Sequence, residues 1–186
     1  GLRMLHVQSM KGGVFIVPPD LPVLRLGEVR FVSVEAAPSV TSLTLDERSV
    51  SVTTFPSLKE LHWFGKILSA RTFRSDQLTT LTALAITAEY IQPNVSFPPG
   101  LVSLELEADE GMVEVDRLTP LRHLQRLRLK AKTNKAPLDV SPLTALTLLD
   151  ITTSPVARFP PSLVECTVVV RDDSDLSPLT RLTRLD

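Results

Sequence analysis

Along this chain, pairs of apolar residues two positions apart enclose a single variable residue and recur as a short signature, Leu-x-Leu or a close variant. The pairs are Leu5/Val7, Leu24/Leu26, Leu43/Leu45, Leu61/Trp63, Leu84/Ile86, Leu104/Leu106, Leu127/Leu129, Leu149/Ile151 and Cys166/Val168. Counted from the second member of each pair, the steps are 19, 19, 18, 23, 20, 23, 22 and 17 residues. Such alternation sends the paired residues to one face of a strand and the residue between them to the other. Repetition at about 20 residues predicts a solenoid whose coils each contribute one short parallel strand. A β-sandwich of equally short strands would carry turn signals every 8–12 residues or so. The spacing here is longer, and leucine triads fill it.

Two kinds of spacer separate the signatures. Proline-led spacers are VPPDL at 17–21, APSV at 37–40, FPSL at 55–58, FPPGL at 97–101 and FPPSL at 159–163. Leucine-led spacers occur in QLTTLTAL at 77–84, RLTPLRHL at 117–124, VSPLTAL at 140–146 and LSPLTRL at 176–182. In the second of these, Leu118, Leu121, Leu124 and Leu127 recur every three residues, the period of a short 3₁₀ or α turn with one inward face. A Ser/Thr-Pro step suits the start of such a turn. Consecutive prolines in FPPSL predict an extended, polyproline-like run without internal hydrogen bonds.

The register also predicts the outward columns of the strand face. Glu105 and Glu107 fall beside Arg126, Arg128 and Lys130, as either cross-strand ion pairs on a solvated face or a charged strip that docks a partner. His62 and Phe64 flank the inward Trp63, and an exposed aromatic in mid-sheet is a candidate interface anchor. The partner-binding candidates are therefore Arg126, Arg128, Lys130, Glu105, Glu107, His62 and Phe64.

Composition adds limits. In the 186 residues, 43% are hydrophobic and 22% charged, enough to bury a core. The net charge of −1 supplies no global attraction to nucleic acid or anionic membrane. No apolar stretch is long enough to span a bilayer. The single cysteine, Cys166, sits in a core register and reads as a small apolar filler. The compartment stays open, with the cytoplasm slightly ahead of secretion or the cell surface, and the Asn94-Val95-Ser96 sequon carries little weight.

Enzyme chemistry finds no constellation. His6, His62 and His123 fall in different coils, and no pair has metal-ligand spacing. The KGG at 11–13 lacks the rest of a phosphate loop. Asp172, Asp173 and Asp175 lack the glycine and distal glutamate of a calcium loop and read as a solvated segment. No catalytic residue, metal or cofactor is expected.

The segments VSPLTALTLLDI, LSPLTRLTRLD and RLTPLRHLQRLRL resemble leucine-rich repeats of the 22-residue kind found in internalins and phosphatase-regulatory subunits, mixed with proline-bearing FPPSL repeats. The resemblance covers nearly the whole chain. It implies an α/β repeat solenoid: a right-handed superhelix with short parallel strands on the concave face and 3₁₀, extended or short helical turns on the convex face. One family feature is missing. The asparagine three residues beyond the signature is replaced by Met10, Val29, Arg48, Lys66, Glu89, Asp109, Lys132, Ser154 and Arg171. The backbone at that corner needs other partners, which predicts looser, less uniform coils. The pattern runs off both ends, so residues 1–186 read as a single array of about nine coils, a fragment lacking both caps or one capped by end-to-end self-association. The function expected is non-enzymatic recognition of a protein through the strand face. The alternatives are a regulatory or adaptor subunit, such as a GTPase activator or ubiquitin-ligase substrate receptor, and a structural cell-surface repeat protein.

Overall fold

Every signature forms a strand. The computed structural model describes residues 1–30, 33–34, 37–46, 55–69, 73, 75–111, 113–133 and 137–186. In chain order the strands are β1 (Met4–Lys11), β2 (Val14–Phe15), β3 (Val23–Arg30), β4 (Ser33–Val34), β5 (Ser42–Asp46), β6 (Glu60–Leu68) and β7 (Ala83–Ile91). They continue as β8 (Ser103–Gly111), β9 (Arg126–Lys130), β10 (Leu138–Asp139), β11 (Leu148–Arg158), β12 (Glu165–Asp175) and β13 (Arg184–Leu185). One parallel sheet runs β1-β3-β5-β6-β7-β8-β9-β11-β12-β13, with β10 added beside β11. The short β2 and β4 pair with each other in a separate two-stranded sheet.

The pairing register puts the signature residues side by side, as Leu84↔Leu104↔Leu127↔Leu149↔Cys166 and Ile86↔Leu106↔Leu129↔Ile151↔Val168. Leu104, Leu127, Leu149 and Cys166 are at most 1% exposed. Burial pushes the Cys166 thiol up to about 11, because a thiolate there would lose its hydration.

No α-helix occurs among the described residues, and single 3₁₀ turns at Ser75–Gln77 and Val115–Arg117 are the helical content there. The spacers explain the unequal periods. Proline-led coils close one four-residue turn just ahead of the strand, seen in Leu58 N–H to Phe55 O and Leu101 N–H to Pro98 O. Leucine-led coils close two in series, as in Leu121 N–H to Leu118 O and Leu124 N–H to Leu121 O. The extended run expected of FPPSL does not form. Leu163 N–H reaches Pro160 O at 3.4 Å, because Pro161 fixes φ at the second position of a turn.

The absent asparagine is compensated at two places. Beyond the signature, β6, β7 and β8 keep pairing around the bend, as Ile67↔Tyr90↔Glu110, so the corner's backbone groups bond to neighbouring coils. Ser154 there is buried and accepts a bond from the Thr133 hydroxyl at 3.2 Å. Arg48 and the side chains of Val29, Arg171, Asp172 and Asp173 lie outside the described residues. At the opposite corner one carbonyl accepts two successive N–H groups of the next coil: Lys59 O takes Thr82 and Ala83, and Gln125 O takes Thr147 and Leu148. Hydroxyls add a third donor to the same carbonyls, from Thr82 at 3.2 Å and Thr147 at 3.1 Å. Uniformity fails locally, since the β11–β12 register shifts between Ile151 and Pro155.

Two leucine-led turns share a cap that the sequence does not announce. Asp139 Oδ1 accepts the Ser141 N–H and hydroxyl at 3.0 and 2.6 Å, and Asp175 does the same with Ser177. The Ser177 hydroxyl, then its N–H, hold the exposed Asp175 carboxyl below the usual carboxylate range. A depressed folded value means that this bond contributes above the unfolded carboxylate pKa and is lost as pH falls through the folded one. In Ser177→Ala, the Asp175 carboxyl followed by NMR titration should move up toward the ordinary aspartate value of about 3.9. An unchanged titration would show that the turn does not hold the proton off.

Candidate functional site on the strand face

Alternate residues of each strand point out of the sheet and line up into rows across it. The row between the signature leucines reads His6, Arg25, Thr44, His62, Ala85, Glu105, Arg128 and Asp150, each registered with the next. Chemistry divides this face into two halves.

In the β8–β11 half Arg128, Lys130 and the carboxylates beside them satisfy one another. Arg128 Nη1 lies 3.2 Å from Glu105 Oε1 and its Nε 2.9 Å from Asp150 Oδ2. Lys130 Nζ stands 3.8 Å from Glu107 Oε1. Arg128 is thus clamped from both sides, by Asp150 as well as the Glu105 expected from sequence. Asp150 was legible as the next member of the row. Exposed pairs of this kind are worth about 0–1 kcal/mol each. Arg126, between Ser103 and Leu148, has no ion-pair partner among the described residues.

In the β1–β6 half the charges stand apart around a hollow of about 780 Å³, lined by His6, Arg25, Gly27, Ser42, Thr44, Asp46, Glu60, His62 and Phe64 among others. Among the described residues Arg25, Asp46 and Glu60 make no ion pair. Phe64 is 44% exposed at one wall, while Trp63 behind it is buried, as its leucine register requires. The floor is low at Gly27, where β1 and β3 approach too closely for a side chain: a Cβ there would stand 2.7 Å from the Gln8 carbonyl oxygen. A smaller hollow continues past Glu60 and His62 over Ala83 and Ala85 to Glu105. The two form one trough across the strands.

Of the residues singled out from sequence, the structure therefore joins His62 and Phe64 in one hollow and Glu105, Glu107, Arg128 and Lys130 in an ion-pair set. His6, Arg25, Gly27, Asp46 and Glu60 were on the predicted columns without being distinguished. The signal was the row of hydrogen-bond donors at His6, Arg25, Thr44 and His62. His6 and His62 lie three strand spacings apart, about 14 Å. No group of three or more His, Cys, Asp or Glu among the described residues is placed to hold a metal ion. No helix among them is long and apolar enough to cross a membrane.

The class is a parallel-strand β-solenoid carrying a mixed-charge trough on its strand face. No protein-family model matches the chain, and no curated protein matches it in sequence. Among solved structures, an internalin (inlF) from Listeria monocytogenes str. 4b F2365 is similar at 12% identity and a TM-score of 0.38, covering 99% of this chain and 80% of its own. At that level the class rests on this chain's own register and burial.

Proposed function

We propose that this chain is a non-enzymatic recognition module that binds a protein partner through its strand face, on repeats of the 22-residue leucine-rich type. The observation that carries the reading is the contrast on one sheet: Glu105, Glu107, Arg128, Lys130 and Asp150 are paired with one another, whereas Arg25, Asp46 and Glu60 around the hollow at Phe64 make no ion pair among the described residues. Unpaired charge and an exposed aromatic on a rigid surface are what a partner can complete. Arg126, Arg128, Lys130, Glu105 and Glu107 form the second part of the proposed surface. Because their charges largely cancel, their contribution is to orientation and encounter rate more than to affinity.

The test compares wild-type chain, Phe64→Ala, Arg128→Glu and Arg122→Ala against a partner isolated on the wild type, by surface plasmon resonance. Phe64→Ala should weaken binding by about tenfold or more, as loss of an aromatic anchor does. Arg128→Glu should mainly slow association. Arg122→Ala, on the turns behind the sheet, should bind as wild type. Binding that survives the first two changes and fails with the third would place the interface behind the sheet and sink the reading.

A further inference from the structure

Building on the strand-face reading, we infer that the trough takes an extended segment of a partner bearing acidic, basic and apolar residues close together. Three observations set this chemistry. Arg25 is exposed, makes no ion pair among the described residues and stands within the donor row His6–Arg25–Thr44–His62; a guanidinium so placed is matched by a carboxylate, which it can hold with two parallel N–H bonds. Glu60 and Asp46 flank that row on opposite sides, also without an ion pair among the described residues, and each is matched by a Lys or Arg. Phe64, registered beside Asp46 and four residues along β6 from Glu60, offers an exposed ring to an apolar side chain.

The geometry sets the length. Arg25 and Glu60 are two strands apart across the sheet and two residues apart along it, which places their Cα atoms about 12 Å from each other. An extended chain covers that distance in about three to four residues. From β3 to β8 the trough spans four strand spacings, about 19 Å, or roughly six extended residues. The small Gly27, Ala83 and Ala85 leave room along it for a backbone to lie close to the sheet. A uniformly acidic segment would meet repulsion at Asp46 and Glu60, and a uniformly basic one at Arg25. The mixed pattern alone satisfies all three.

A random heptapeptide phage library panned on wild-type chain, Arg25→Glu, Glu60→Lys and Phe64→Ala tests this, with circular dichroism melts confirming that these exposed substitutions keep the fold. Wild type should enrich peptides that carry Asp or Glu three to four positions from Lys or Arg, together with an apolar residue. Arg25→Glu should exchange the selected acid for a base, Glu60→Lys the base for an acid, and Phe64→Ala should abolish the apolar preference. Enriched peptides lost with Phe64→Ala but indifferent to both charge reversals would overturn the inference and leave strand-face recognition standing. Peptides indifferent to all three changes would overturn both. Failure of wild type to enrich any sequence would overturn the inference.

Discussion

Leu127→Asp is expected to lower the stability of the array by roughly 4 kcal/mol or more. Leu127 is fully buried, registered between Leu104 on one side and Leu149 on the other. Truncating a leucine in such a place already costs about 2–5 kcal/mol in lost burial and residual cavity. The carboxylate adds desolvation without a partner, or the cost of staying protonated at neutral pH. Because each coil of a solenoid is held by its neighbours, the damage extends into β8 and β11. Arg122→Ala, an exposed change five residues earlier in the same coil, should shift stability by less than about 0.5 kcal/mol. Urea and thermal unfolding followed by circular dichroism separate the two variants. Coincident curves would mean that the inward and outward positions have been exchanged.

A second large effect is expected at Gly27, where a methyl group should loosen β1 from β3. The added Cβ would meet backbone, the Gln8 carbonyl oxygen at 2.7 Å, and a main-chain atom cannot turn away as a side chain would. Relief requires the strands to part at a point where Val7↔Leu26 and Ser9↔Glu28 pair on either side. Overpacking of this kind costs about 1–3 kcal/mol. Since β1 has one neighbour in the sheet, the loss should stay local. Hydrogen exchange should show amides of Met4–Lys11 losing protection in Gly27→Ala while those of β7 and β8 keep theirs. Equal protection of β1 in both proteins would show that the strands accommodate the methyl group.

Much of the fold was readable because the repeat is one-dimensional. In a solenoid, in-register residues of successive coils become neighbours in space, so Leu84, Leu104, Leu127 and Leu149 could be stacked from their spacing alone. The same property made the outward rows legible, including the meeting of Glu105 with Arg128. Prolines were harder to read. Two in succession carry the φ of an extended run and of a turn alike, and the hydrogen bond from Leu163 back to Pro160 decides for the turn. Corner chemistry was hidden as well. A missing asparagine says that partners are needed, but the two N–H groups and one hydroxyl gathered on Lys59 O come from a coil more than twenty residues away.

Sequence alone determined the stacked-coil architecture, the inward and outward faces of every signature strand and the burial of Trp63 and Cys166, because period and alternation act locally and repeat. Tertiary structure alone decided which charges are already satisfied and which are left open. That distinction depends on side-chain reach across strands: Arg128 extends to both Glu105 and Asp150, while Arg25, in the same row, meets Thr44 on β5 and the open floor at Gly27. Two arginines in equivalent registers thus face opposite surroundings, and only the distances between side chains distinguish a pair from a site.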